Sequence, residues 1–226
     1  VPLLSGCTPT RNITPVTQAQ GVWPEPPAQP RIRYVKSVYS AEDLGIEKSF
    51  WKRLGEFITG PSSTRLVRPM AVVVDTSSEM VYVADPGARG IHRFDLRGSS
   101  YKLLYRENNL PLTSPTGMAL GADKRVFITD SSLGRLFVAT PDVDFLSPVE
   151  LQSELQQPTG VVFDQETGQL YIVDTSAHTI KVFSATGAFI RQFGRRGSGP
   201  GEFNFPTALW QDRSGQLLVS DSLNFR

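Results

Sequence analysis

Short apolar runs that each end in an acidic residue recur along the chain and predict β-strands. The clearest four cover residues 81–85, 126–130, 170–174 and 217–221. They are rich in β-branched and aromatic residues and are bounded by Gly, Asp, Ser and Pro, which is typical of strands and turns rather than of helices. Around the third run the same pattern predicts neighbouring strands at 160–163, 170–173, 179–183 and 189–193.

The spacing of these strands predicts a repeat fold. Copies of one pattern, a proline followed by an apolar run, an acid and an aromatic-rich strand, begin at Pro69, Pro115, Pro158 and Pro206. A period of about 45 residues with four strands in each copy is typical of a β-propeller, in which four-stranded blades repeat around an axis. The first prediction is therefore an all-β propeller.

The recurring acids are predicted to hold turns. A tight turn leaves backbone N–H groups unpaired, and a short aspartate side chain can accept hydrogen bonds from them. Because the same acid recurs in every copy, we expect a structural role rather than a metal-binding or catalytic one. The acids of the two series are Asp85, Asp130, Asp174 and Asp221, together with Asp75, Asp164 and Asp212.

A glycine-rich passage before the fourth copy carries a family resemblance. The sequence Phe-Gly-Arg-Arg-Gly-Ser-Gly-Pro-Gly-Glu-Phe-Asn-Phe-Pro at 193–206, followed by 215–226, resembles the NHL repeat of six-bladed β-propellers. The resemblance covers about residues 66–226, although Gly121 departs from it where the other copies have Asp. It implies four-stranded NHL-type blades, about three and a half of a full six, so we expect the chain to be a fragment of a longer protein.

The start of the chain resembles the lipobox of bacterial lipoproteins. Residues 4–7 read Leu-Ser-Gly-Cys, and Cys7 is the one cysteine of the chain. The resemblance implies acylation of Cys7 and an N-terminal lipid anchor in the membrane, the alternative being an ordinary buried thiol. If the cell is Gram-negative, the resemblance implies the outer membrane, facing the periplasm, because Thr8 rather than Asp follows the cysteine. No apolar run in the sequence is long enough for a transmembrane helix.

Four segments are predicted: a signal-peptide remnant with the lipobox at 1–7, a Pro-rich extended tether at 8–30, a strand and helix at 31–60, and a partial propeller at 61–226. The strand is expected at 31–39. A short amphipathic helix follows, because Ser40 and Asp43 approximate a capping box. Its apolar side chains are predicted to pack on the propeller or, alternatively, to contact a membrane or partner; they are Ile46, Phe50, Leu54, Phe57 and Ile58.

The charge and histidine content narrow the function. With 23 basic and 22 acidic residues the net charge is +1, so no nucleic-acid partner is expected. The two histidines, His92 and His178, fall at different points of the repeat and suggest neither a metal cluster nor a catalytic triad. No cofactor, metal or catalytic residue is therefore predicted.

The leading hypothesis is a binding module or scaffold for a protein or glycan. The alternative is a metal-dependent hydrolase or lyase with its site at the central channel. Turns that follow the recurring acids differ from copy to copy, and loops on a rigid scaffold often carry binding. Unless these are plain solvated turns, the expected ligand contacts are Arg89, Arg135, His178 and Asn224.

Overall fold

The computed structural model describes residues 21–25, 27–47 and 64–226. The chain divides into two compact units, Val1–Val38 and Tyr39–Arg226, and the division falls inside the predicted segment 31–60. Cys7 lies outside the described residues.

The first unit contains a small antiparallel hairpin, in which β1 (Val22–Trp23) pairs with β2 (Ile32–Arg33). The predicted strand over 31–39 is therefore wrong in length, and its partner comes from the segment predicted to be an extended tether. The ladder is short because Pro24, directly after β1, has no N–H to donate. The hairpin is closed by hydrogen bonds from the Arg31 N–H to the Trp23 oxygen and from the Tyr34 N–H to the Gly21 oxygen.

The second unit opens with the predicted capping pair. The Asp43 carboxylate accepts from the backbone N–H groups of Tyr39 and Ser40, at 2.8 and 3.0 Å. Within the described residues 39–47 the helical backbone is the 3-10 turn Glu42–Leu44, and Gly45 ends it in the left-handed conformation at φ 80°. Ile46 is buried as expected, while the remaining predicted helix residues, from Phe50 to Ile58, lie outside the described residues.

Residues 64–226 form three four-stranded blades and two strands of a fourth, which confirms the all-β propeller. Neighbouring strands within each blade are antiparallel, and the predicted strand at 189–193 is found with the same bounds. The strands are β3 Ala71–Asp75, β4 Met80–Asp85, β5 Gly90–Asp95 and β6 Ser100–Arg106 in blade 1; β7 Pro115–Leu120, β8 Val126–Asp130, β9 Arg135–Ala139 and β10 Phe145–Pro148 in blade 2; β11 Pro158–Asp164, β12 Gln169–Asp174, β13 Thr179–Ser184 and β14 Phe189–Phe193 in blade 3; β15 Pro206–Gln211 and β16 Leu217–Asp221 in blade 4.

The core lies between the blades, where apolar faces of successive sheets meet. Ile91 and Leu104 of blade 1 pack with Val126 and Phe137 of blade 2, and all four are almost fully buried. The outer strands β6 and β10 also pair in parallel, so blades 1 and 2 share one sheet of eight strands. Burial of these faces is the main term that holds the blades together.

The innermost strands approach closely, and small residues make that possible. A Cβ on Gly117 of β7 would lie 2.0 Å from the Thr159 carbonyl oxygen of β11, which no side chain can accommodate. At the same contact the Thr129 hydroxyl donates to the Thr159 oxygen at 2.5 Å. One blade further on, the Thr175 hydroxyl donates to the Pro206 oxygen at 2.7 Å. Hydrogen bonds between blades thus fix the angle at which each sheet follows the last.

Candidate binding face

One end of the blades carries the turns that follow the recurring acids, and each acid accepts hydrogen bonds from the linker that enters the same blade. The buried Asp85 carboxylate accepts from Val67 and Arg68 of the linker at 2.6 and 2.9 Å. It also accepts from Gly87 and Ala88 of the turn at 2.8 and 3.0 Å. The predicted structural role of this acid is confirmed.

The other acids of this series repeat the arrangement. Asp130 accepts from four backbone N–H groups, two in the linker and two in the turn. Asp174 accepts from the N–H groups of Gln156 and Gln157, and Asp221 accepts from that of Asn204. All of these carboxylates are buried. Each of these carboxylates therefore holds the backbone of its own blade.

Three of the acids also face a cationic or ionisable side chain. Lys181 Nζ lies 3.1 Å from Asp174 Oδ2, and Arg226 Nε lies 3.5 Å from Asp221 Oδ2. His92 Nε2 lies 3.3 Å from Asp85 Oδ2, although the angle falls short of a hydrogen bond. These partners were missed in the sequence, where the available signal was that His92 and Lys181 both stand seven residues after their acid.

His92 is fully buried between Asp85 and Tyr101, whose hydroxyl lies 2.9 Å from His92 Nδ1. Burial lowers the pKa of His92, and the neighbouring Asp85 carboxylate only partly offsets this. Burial would raise the pKa of Asp85, but the N–H groups of Val67, Arg68 and Ala88, together with His92, bring it below its ordinary value. The group is therefore a neutral histidine beside an ionised carboxylate.

At the opposite end of the blades, the second series of acids closes the hairpin turns after the innermost strands. Asp75 accepts from the N–H groups and hydroxyls of Ser77 and Ser78. The hydroxyl hydrogen bonds of Ser78 and then Ser77 lower the pKa of Asp75 to about 2. Asp164 and Asp212 accept from backbone N–H groups in the same way. Their predicted role as turn acceptors is confirmed.

The four predicted ligand residues do not occupy one structural position. Arg89 and His178 stand four residues after their acids, in the left-handed conformation at φ 55° and 56°. Gly134 and Phe225 have the same place in blades 2 and 4, at φ 63° and 54°. Arg135 and Asn224, the predicted residues of those blades, flank that place. The prediction missed this offset because it selected the polar residue of each turn rather than the residue four positions after the acid.

The predicted residues also differ in exposure. Arg89 is exposed, but its Nε donates to the Leu112 carbonyl oxygen at 3.2 Å and so ties the turn to the linker. Arg135 is exposed beside a cleft of about 390 Å³ whose wall includes Glu150 and Glu154. These two arginines therefore bring positive charge to the solvent-facing surface of the turns.

His178 and Asn224 have structural contacts instead. His178 is buried, its Nδ1 accepts from the Phe205 N–H at 3.2 Å, and its ring meets the Phe205 ring edge to face. Asn224 Nδ2 donates to the Gly197 carbonyl oxygen at 2.9 Å and to Asp221 Oδ2 at 2.7 Å. Both side chains brace the junction of blades 3 and 4, which differs from the exposed turn tips predicted.

The glycine-rich passage is held in one shape by the last residue. The Arg226 guanidinium donates to the carbonyl oxygens of Ser198, Gly199 and Glu202, at 2.7 to 3.2 Å. Glu202 in turn accepts from the Gly199 N–H at 2.9 Å. Beside this preformed loop, the Phe225 side chain is 92% exposed.

The central channel is lined differently. Near the turn-bearing end a cavity of about 430 Å³ is bordered by small and hydroxyl side chains, among them Thr116, Gly117, Thr159 and Thr207. Within the described residues no cluster of three or more His, Cys, Asp or Glu side chains could hold a metal ion. In that same part of the chain no helix has the length and apolar character needed to cross a membrane.

Comparison with known proteins places this fold. The family DUF5128, described as a 6-bladed beta-propeller, matches residues 152–224. The mouse NHL repeat-containing protein 3 is 26% identical over 207 residues, which cover 81% of this chain and 54% of that protein. The chain thus spans about half the length of this curated relative.

Solved structures give the same picture. A chain of the nidogen/laminin complex is 28% identical with a TM-score of 0.54, and the match covers 68% of this chain and 57% of that one. A streptogramin B lyase, 13% identical with a TM-score of 0.56, covers 73% and 51% and shows the fold alone. The acid-braced repeat, the four-stranded blades and these similarities identify the chain as an NHL-type β-propeller of the six-bladed class.

Proposed function

We propose that this chain is a lipid-anchored protein of the bacterial cell envelope whose turn-bearing face binds another protein. The observation that carries the proposal is that the turns on that face follow the same buried aspartate in each blade but differ in their other residues. A buried aspartate binds the linker in every blade, while the residues of the turn that follows it change, from Gly87, Ala88 and Arg89 in blade 1 to Ser132, Leu133 and Gly134 in blade 2. Variable side chains on a rigid frame are how loops acquire binding specificity.

The chemistry of the face suits a protein partner. Arginine and aromatic residues dominate the energetics of protein interfaces, because they combine apolar contact area with directed hydrogen bonds. The cleft beside Arg135 also carries two acidic side chains, Glu150 and Glu154. We therefore expect the contact surface of the partner to carry both acidic and basic residues. The nidogen/laminin structure supports the proposal, since a similar chain there is part of a protein complex.

The anchor is proposed at Cys7, with residues 8–20 as the connection to the described part of the chain. A single acyl chain binds a membrane only marginally, whereas two or more hold stably. Mass spectrometry of Cys7 in the protein from a bacterial membrane fraction tests this step. We expect an acylated cysteine, and a Cys7→Ser variant should be released from the membrane fraction; an unmodified Cys7 thiol in membrane-bound protein would rule out the anchor.

The binding face is tested by a photoreactive amino acid placed at position 135, with position 97 as the control. Arg97 lies on the turn between β5 and β6, at the opposite end of the blade, and its side chain is 66% exposed. We expect a discrete protein adduct from position 135 and none from position 97. Equal adducts from both positions, or none from position 135, would exclude this face as the site that binds a protein. If the partner is a glycan, the chain would still bind it saturably, but no protein adduct would form from position 135.

A further inference from the structure

The hairpin of the first unit has an apolar aromatic side. Trp23 pairs with Ile32 across the ladder, and the Tyr34 N–H bonds to the Gly21 oxygen one step further along. Because paired residues in a ladder share a face and successive residues alternate, Trp23, Ile32 and Tyr34 lie on the same side. A Cβ on Gly21 would be 2.5 Å from the Trp23 ring, which shows that the indole lies over that glycine.

This side is open to solvent. The residues Trp23, Ile32 and Tyr34 are 51%, 64% and 37% exposed. Exposed apolar groups that cluster on one side of an element mark an interaction surface rather than a core. The presence of both a tryptophan and a tyrosine on this side is informative, because both rings prefer the boundary between hydrocarbon and water.

The charge of the hairpin points to the class of partner. Among the described residues of the first unit, the bases Arg31, Arg33 and Lys36 outnumber the one acid, Glu25. Val22 and Arg33 form the other pair of the ladder, so Arg33 lies on the side opposite to Trp23 and Ile32, and the hairpin has one apolar and one basic side. An apolar aromatic side opposite a basic side is typical of segments that lie in the interface of an anionic membrane.

The position in the chain brings the hairpin to such a surface. Fifteen residues separate Cys7 from Trp23, and a chain of that length reaches at most about 50 Å. An anchor at Cys7 therefore keeps the hairpin close to the membrane that holds the lipid. This step rests on the proposed acylation, whereas the apolar side and its cations do not.

We propose that the hairpin 21–38 is a second membrane contact, in which Trp23, Ile32 and Tyr34 enter the boundary of an anionic leaflet while Arg31 and Arg33 meet its headgroups. A lipid anchor alone leaves the protein free to swing on its connection. A peptide hairpin that also binds the surface limits where the first unit lies and adds a second site of attachment, as stable anchoring requires.

The test uses the full chain carrying Cys7→Ser, so that no acyl chain contributes. We expect it to sediment with vesicles containing phosphatidylglycerol and much less with phosphatidylcholine alone. Adding Trp23→Ala and Ile32→Ala should weaken this binding about tenfold, because binding scales with the apolar area inserted. The matched control, Trp210→Ala with Leu218→Ala, removes two side chains of blade 4 that are 61% and 55% exposed, and should leave binding unchanged.

A second readout separates insertion from mere adsorption. With Trp51→Phe in both chains, brominated lipid should quench tryptophan fluorescence in the Trp210→Phe variant, where Trp23 is the remaining tryptophan, but lose its effect in the Trp23→Phe variant. Raising the salt concentration should weaken the parent and have less effect on Arg31→Gln with Arg33→Gln. Absence of vesicle binding, or an equal loss in the blade 4 control, would overturn the proposal, and capture by a soluble protein without vesicle binding would do the same.

The outcomes distinguish this inference from the proposed anchor. If Cys7 is acylated but the Cys7→Ser chain does not bind anionic vesicles, the hairpin contact is refuted and the anchor stands. If Cys7 is unmodified but the variant binds vesicles through Trp23, the anchor is refuted and the hairpin contact stands.

Discussion

Replacing Asp130 by asparagine should loosen blade 2 by a predictable amount. The Asp130 carboxylate is fully buried and links the linker, through Thr113 and Ser114, to the turn, through Ser132 and Leu133. Oδ1 accepts from Ser114, Ser132 and Leu133, and Oδ2 takes the short 2.7 Å bond from Thr113. Asparagine keeps the shape but turns one of the two oxygens into a donor.

The expected cost follows from which bonds survive. With its oxygen at the Oδ1 position, the new amide would keep three bonds and place an NH₂ group against the Thr113 N–H. A lost hydrogen bond to a charged group is worth about 1.5–3 kcal/mol, and a buried donor left unpaired costs about as much. Since Thr113 lies at an exposed edge, water recovers part of this, and we expect a loss of about 1–3 kcal/mol. Asp130→Ala removes every acceptor and should cost about 4 kcal/mol or more.

The measurement is urea unfolding of the full chain, followed by tryptophan fluorescence and analysed for the free energy of unfolding. Asp142→Asn serves as the control, because Asp142 is an exposed acid of the same blade, and it should change stability by no more than about 0.5 kcal/mol. If Asp130→Asn is as stable as the control, the carboxylate does not brace the turn and the reasoning about the whole acid series fails.

Three further predictions use the same unfolding assay. The pKa of Asp75 is about 2 in the folded protein, so its contribution to the free energy of unfolding is complete above about pH 4 and is lost as the pH falls towards 2. Asp75→Asn should reduce this loss of stability in acid, and an unchanged loss would contradict the assignment. The pKa of His92 is lowered by burial, so the unfolded chain takes up the proton first, and the free energy of unfolding should decrease as the pH drops under about 6.5. His92→Phe should abolish this pH dependence, and its persistence would count against a buried neutral imidazole. Gly117→Ala should cost more than about 2 kcal/mol because its Cβ meets the Thr159 oxygen, while Gly199→Ala, which meets only a flexible carboxylate, should stay within about 1 kcal/mol; equal effects would refute the close approach.

The strands and their turns could be predicted from the sequence because the signals are local. Alternation of apolar side chains and the placement of Gly, Asp and Pro act within a few residues, which is why the strand Phe189–Phe193 was found with its bounds. Because the same strand pattern recurs along the chain, one local prediction applies to every copy and predicts the whole fold. The same reasoning overextended the strand at 31–39, since nothing local revealed that Pro24 would end the partner strand.

The candidate face could be predicted only in part. The turns after the acids were located correctly, but the structure separates exposed Arg135 from buried His178. Arg89, Gly134, His178 and Phe225 share one left-handed position four residues after the acid, so the equivalent residues follow from the count and not from residue type. Residue type gave no hint of this because Gly and three quite different side chains occupy it.

The sequence by itself thus determined the repeat, the strands and the acids that hold the turns, all of which depend on short stretches of chain. The tertiary structure decided which side chains face solvent and which pair. His92 meets Asp85 because β4 and β5 lie side by side in a given register. His178 is covered because the next blade begins with Phe205 beside it. Contacts of this kind depend on the distance between atoms of separate strands and blades, and the order of residues along the chain does not specify that distance.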